Sequence, residues 1–365
     1  MRDPRLNKLA KLLLSHSLKL EEKEKVIIHA VPSSKPLVKE ILKEAYALAA
    51  IPFLYWDDEE TNRIIMEHAP DEQFRLTGKW DLEQFKDTDA LLVIRGEAND
   101  AEYASIRNEQ FVKRGKLMKA SDDYLYENQK WVLFEYPTPG AAKKAKMNFD
   151  AFYDYVLNVS TVDYDAMHRA QQPLKELMEK TDKVRIVSPG TDLTFSIKDI
   201  PAVICAGSHN VPDGEVYTAP VKNSVNGKIT YNTPSPYQGI FHQQVSFTFK
   251  DGKIIEATSD QTDKLNEVLD TDEGARYIGE FALGLNPAIK EPMGNILFDE
   301  KIGGSLHFTP GDSYDETENG NSSSVHWDLV LIQRPEYGGG EIYFDDVLIR
   351  KDGIFVINEL KGLNP

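Results

Sequence analysis

A single cysteine, Cys205, stands in 365 residues, so no disulfide can form within the chain. The cytoplasm, where thiols stay reduced, is the expected location. No stretch approaches the roughly 20 consecutive apolar residues of a membrane span. Met1–Leu20 carries charges throughout and lacks the continuous apolar core of a secretory signal. Basic charge is in deficit: 42 Lys and Arg face 59 Asp and Glu, a net charge of −17. Such a surface repels phosphate backbones and argues against a nucleic-acid partner, while it tolerates divalent cations. Keeping a protein in solution is also enough to explain it. No Gly-x-Gly-x-x-Gly follows the first apolar run, where Ala30-Val31-Pro32-Ser33-Ser34-Lys35 stands instead, and no Gly-x-x-x-x-Gly-Lys-Ser/Thr occurs. Internal repeats and low-complexity segments are also missing.

What is present suffices for two cores. The length favours two domains, and 41% hydrophobic residues exclude global disorder. In the first half, strands are expected at Lys25–Val31, Pro52–Trp56, Ala90–Gly96 and Lys130–Tyr136. Helices are expected at Arg5–Leu20, Ser34–Ala50, from Thr61, and at Glu102–Ala120. This alternation predicts an α/β fold with a doubly wound, mostly parallel sheet. A helical stretch follows from Ala141 to Thr181, with a break near Ser160. From about Lys183 the chain turns to hairpins, at Ser188–Asp192, Lys250–Lys253 and Lys351–Gly353. One helix, Glu273–Leu285, is expected among them, capped by Asp272. The expected domains are therefore 1–182, Rossmann-like without a phosphate loop, and 183–365, an α+β domain rich in hairpins.

Chemistry concentrates in the second half. Gly303-Gly304-Ser305-Leu306-His307, Gly311-Asp312-Ser313-Tyr314 and Asn321-Ser322-Ser323-Ser324-Val325-His326-Trp327-Asp328 place His, Asp and Tyr among glycines and short apolar runs. Imidazole and carboxylate are ligand types for zinc, cobalt and manganese. His326 and Asp328 share a face at strand spacing. They can reach one ion, or hydrogen-bond each other or a loop. Glu215 runs from a turn into a strand. Glu280, read as mid-helix between apolar neighbours, needs a partner. Arg276 one turn earlier would serve, and so would a metal pair bridged by the carboxylate. A tyrosine such as Tyr314 is usually core with a satisfied hydroxyl; beside a metal it becomes a ligand or an oxyanion donor. Glu300 is the nearest acidic candidate for a general base, with a surface salt bridge to Lys301 as its alternative.

These motifs, in order across Pro212–Pro220, Gly279–Pro287, Asp299–His307 and Asn321–Asp328, resemble the M29 aminopeptidases of the thermophilic aminopeptidase T type. The resemblance implies a cocatalytic site for two divalent metal ions, zinc, cobalt or manganese. Its metal ligands would be Glu215, Glu280, His307, Tyr314, His326 and Asp328, with Glu280 bridging. It further implies release of N-terminal residues from peptides with a free N-terminus, and a homodimer. Ser305, Phe308-Thr309-Pro310 and the acidic run Asp315-Glu316-Thr317-Glu318 depart from the family pattern without removing a ligand. A two-metal amidase on a non-peptide substrate and a non-catalytic protein stabilised by metal are the competing readings.

Overall fold

Four β-branched and aromatic runs separated by amphipathic helices build the first part of the chain. The computed structural model describes residues 3–96, 99, 102–103, 105–237 and 239–364. Contacts divide the chain into two compact units, Met1–Thr161 with Gly207–Pro212, and Val162–Ala206 with Asp213–Pro365.

In the first unit the runs form parallel strands Lys25–Ala30, Ile51–Trp56, Ala90–Arg95 and Lys130–Glu135. The sheet order is Ile51–Trp56, Lys25–Ala30, Ala90–Arg95, Lys130–Glu135, then the short strand Asn210–Val211. The chain winds out from Lys25–Ala30 in both directions, as a doubly wound sheet does. Val26, Ile27, Ile28 and Leu92 are fully buried, which suits parallel strands covered on both faces.

The helices follow expectation with three differences. The helix expected from Glu102 begins at Asn108 and runs to Asn128; position 104 of that expectation lies outside the described residues. Asp71–Lys86 is an additional helix. The stretch 141–181 is three helices, Pro139–Lys144, Phe149–Ser160 and Tyr164–Lys180. Asn148 and Asp163 restart it, each accepting from a backbone N–H three residues on at 2.9 Å. Among the described residues no helix is long and apolar enough to cross a membrane.

The second unit holds two large antiparallel sheets and a two-stranded one, Ser235–Tyr237 with Ile240–His242, among the described residues. One has eight strands, from Lys253–Thr258 at one edge to Ile354–Phe355 at the other, and contains all three expected hairpins. The other orders Val330–Ile332, Ser305–Pro310, Ile278–Gly284, Glu215–Thr218 and Val203–Cys205. Side chains alternate across it. Val216, Phe281, Leu283, Leu306, Phe308 and Leu331 lie in the apolar core. There Phe195 of the large sheet meets Phe281 and Phe308 with ring centroids 5.0 Å away. Glu215, Glu280 and His307 occupy alternate positions, hence the other face.

The helix expected at Glu273–Leu285 is overturned. Only Gly274–Arg276 is helical, as one 3-10 turn, and Ile278–Gly284 is a strand with every residue buried. A strand covered on both faces has no polar alternation to report its period, and Glu, Ala and Leu are good helix formers. Arg276 consequently does not partner Glu280. It binds Asp270 at 2.6 Å and the Asn266 side chain at 3.0 Å.

Candidate metal centre

Three strands and the approach to a fourth supply the site. Register sets Glu215 opposite Gly284, His307 opposite Ala282, and Glu280 opposite Thr309 across an irregularity at Gly279. The Gln171 amide donates to the carbonyls of Cys205 and Glu215 at 3.1 and 3.2 Å, fixing the outer strands. His326 and Asp328 precede the strand Val330–Ile332 rather than open it, and one bridge, Gly311 to His326, aligns them. Trp327 points the opposite way, onto Tyr237 and His242.

Five of the expected ligands converge. Glu280 Oε1 lies 3.2 Å from His307 Nε2, and its Oε2 lies 3.3 Å from His326 Nε2. His307 Nε2 is also 3.4 Å from Glu215 Oε2, and His326 Nε2 is 3.3 Å from Asp328 Oδ1. Ligand atoms of Glu215, Glu280 and His307 lie within 4.8 Å of one another, as do those of Glu280, His326 and Asp328. Glu280 belongs to both groups and gives a different oxygen to each.

Tyr314, the sixth, is not core. It is 44% exposed, with its ring 4.8 Å from that of His326 and 5.4 Å from that of Tyr217. Burial of its hydroxyl end and the nearby carboxylates of Glu280 and Asp328 push its phenol well above the usual value. Glu300 pairs with Lys301 at 2.5 Å, but the pair is buried rather than on the surface. Burial raises the Glu300 carboxyl to about 8. Ligand atoms of Glu300, His307 and Asp328 also gather within 4.8 Å.

The loops around the site orient its ligands. His326 Nδ1 donates to the Asp312 carbonyl at 3.0 Å, which leaves Nε2 for a proton or a metal. A Cβ on Gly279 would lie 1.9 Å from that Asp312 oxygen, so only glycine lets this carbonyl approach. Gly311, at φ +111°, allows the same intimacy with the Val325 carbonyl. Thr309 Oγ1 donates to Asp328 Oδ1 at 2.7 Å.

Sequence reasoning missed Lys301, Asp213, Asp312 and Thr309 as participants. Lys301 and Asp213 sat inside the quoted motifs, next to Glu300 and Glu215, but nothing in one sequence says that a lysine is buried. Cys205, Asp213 and Glu215 form a further ligand-type group. Lys301 already supplies positive charge there, at 2.6 Å from Glu215 and 3.7 Å from Asp213. Burial and these carboxylates hold the Cys205 thiol in its neutral form.

Electrostatically the site asks for cations. Burial opposes the charge on His307, yet Glu280 and Glu215 outweigh it and raise the imidazole to about 9. His326 is raised well above its ordinary value by Asp328 and Glu280 against the same burial penalty. Burial would raise Glu280 and Asp328, but the imidazoles hold both carboxyls low. Among the described residues, Glu215 Oε2, His307 Nδ1 and His326 Nε2 are buried without a hydrogen-bond partner. Orphaned donor atoms in an anionic, N/O-only cluster fit divalent metal ions.

Residues 2–339 match the model of the thermophilic metalloprotease family, M29. The chain belongs to this family. It is therefore a metalloprotease, a hydrolase, and membership implies a divalent metal cofactor. Its relatives include aminopeptidase 2 of Geobacillus stearothermophilus, 25% identical, with 95% of this chain and 94% of that one covered. Aminopeptidase AmpS of Bacillus subtilis is 24% identical over 89% of this chain and 88% of its own. The fold matches that of wild-type AmpT from Thermus thermophilus with a TM-score of 0.82 at 22% identity, covering 97% of this chain and 99% of that chain.

Proposed function

We propose that this M29 metallopeptidase is an aminopeptidase with two metal ions. Glu215, Glu280 and His307 would hold one, and Glu280, His326 and Asp328 the other. The division of Glu280's two oxygens between the two groups carries this reading. Bound there, divalent cations supply Lewis acidity that brings the pKa of a water toward neutrality and polarises the scissile carbonyl.

The remaining work falls to the chain. Asp312 and Thr309 hold His326 and Asp328 in ligating orientation. Glu300, with its ligand atom beside those of His307 and Asp328, is placed to take the proton of the attacking water and return it to the leaving amine. Tyr314 lines the exposed side of the second group, as a sixth ligand or as a donor to the developing oxyanion. The substrates are peptides with a free α-amine, anchored by that amine. Zinc, cobalt and manganese all suit this donor set, and availability selects among them. A cytoplasmic homodimer completes the proposal.

Aminoacyl chromogenic substrates and their N-acetylated forms, assayed before and after chelation and after re-addition of single metals, test it. Activity should depend on metal and vanish on acetylation. An acetylated substrate turned over at an unchanged rate would point to an amidase instead.

A further inference from the structure

Lys301 is a deeply buried cation of the second unit, 1% exposed at its side chain. Its backbone is pinned at both ends of the peptide: its N–H donates to the Phe298 carbonyl, and its own carbonyl accepts from Asn286 N at 2.9 Å. The preceding turn is clamped by Asp299, which accepts from Met293 N and Gly294 N. From this rigid base the ammonium reaches Glu215 Oε1 at 2.6 Å and Glu300 Oε1 at 2.5 Å, with Asp213 Oδ1 at 3.7 Å. The other oxygen of Glu215, Oε2, is the one that faces His307 and has no hydrogen-bond partner.

We infer that Lys301 is a positioning residue that claims one oxygen of Glu215 and thereby presents the other to the metal shared by Glu215, Glu280 and His307. This rests on the two-ion reading above. An ammonium fits the role because it donates in several directions at once and needs no acceptor of its own. Without it, Glu215 would be free to rotate, and two buried carboxylates would face each other with no cation between them. The second group, Glu280, His326 and Asp328, is oriented by Asp312 and Thr309 and does not depend on Lys301. The inference therefore predicts an unequal effect on the two ions.

The test is zinc binding by competition with a chromogenic chelator, on the full-length protein, with thermal melting of the chelated protein as a control for folding. Wild type should bind two ions. Lys301→Met keeps the stem and loses the charge; it should weaken one ion by about tenfold to a hundredfold, the scale of an outer-shell contact, and leave the other unchanged. Lys301→Arg, which can still bond both carboxylates, should recover most of the loss. If Lys301→Met does not fold, Lys301→Met combined with Glu300→Gln removes charge from both sides of the pair and should show the same unequal loss. Two ions bound with wild-type affinities by folded Lys301→Met, or by the folded double variant, would overturn the inference, as would equal weakening of both. A wild-type protein that binds fewer than two ions would refute the two-ion reading itself, a result distinct from either.

Discussion

The two faces of one sheet, formed by Glu215–Thr218, Ile278–Gly284 and Ser305–Pro310, share a backbone but cohere for opposite reasons. The apolar face joins Phe281 and Phe308 to Phe195 in a continuous core. Its cohesion comes from area removed from water and needs no ion. The polar face collects Glu215, Glu280, Glu300 and Asp328 around two imidazoles and one ammonium. Like charges gathered in a buried place repel and lose hydration. That face is therefore paid for by the other, and in the proposed function its purpose is to bind cations rather than to hold the unit together.

Removing a charge from the polar face should thus do the reverse of removing a ring from the apolar one. Glu280→Gln should lower peptidase activity at saturating metal by about a thousandfold or more, since each ion's transition-state stabilisation is worth several kcal/mol. Near-wild-type turnover would refute the shared role of Glu280. Phe308→Ala should cost about 3–5 kcal/mol of stability, measured by denaturant unfolding. Below its lowered melting point it should bind metal as wild type does. If metal affinity fell as sharply as stability, the two faces would not be the separable systems their packing indicates.

The apolar face also explains what could be read from the sequence. The parallel sheet and the hairpins announce themselves through short β-branched runs, Gly and Asp at turns, and a period the eye can count. The Ile278–Gly284 strand does not, because Phe281 and Leu283 are buried in the core while Glu280 and Ala282 are buried on the other side. With both faces covered, a strand and a helix have the same composition. Residue type and motif order singled out Glu280, His307, His326 and Asp328, which the fold brings together; the imidazole neighbours of Glu280 were hidden, because a helical period offered Arg276 as one of its two possible partners. Lys301 and Thr309 were illegible for a different reason. Their roles depend on which groups the register brings opposite them, and register is a property of the fold.

Smaller effects sharpen the comparison at the polar face. Thr309→Val removes the hydroxyl that donates to Asp328 Oδ1 while conserving shape. It should weaken metal binding by about tenfold to a hundredfold, with little change in the melting temperature of the metal-free protein. Gly279→Ala should act on the same scale through the other orienting contact of the same group, since its Cβ must displace the Asp312 carbonyl that holds His326. A variant at either position that melted far lower but bound metal normally would make these contacts structural.

The gentlest probe is pH, applied to the metal-free protein. Glu300, near 8, and His307, near 9, both hold protons more tightly folded than unfolded, where they would titrate near 4.5 and 6.5. Over that range the folded state binds more protons than the unfolded one, so stability falls as pH rises. Asp328 is shifted the other way, but it stays ionised in both states above about pH 5. The melting temperature of chelated protein should accordingly decline between about pH 5 and 9. Metal reverses the sign, because a cation takes the place of those protons and binds more tightly as they leave. Metal-loaded protein should hold or gain stability across the same interval, and the two melting curves should diverge with pH. Parallel curves would mean that protons and metal do not compete for the polar face, and that its charge is balanced by something other than the ions it is built to hold.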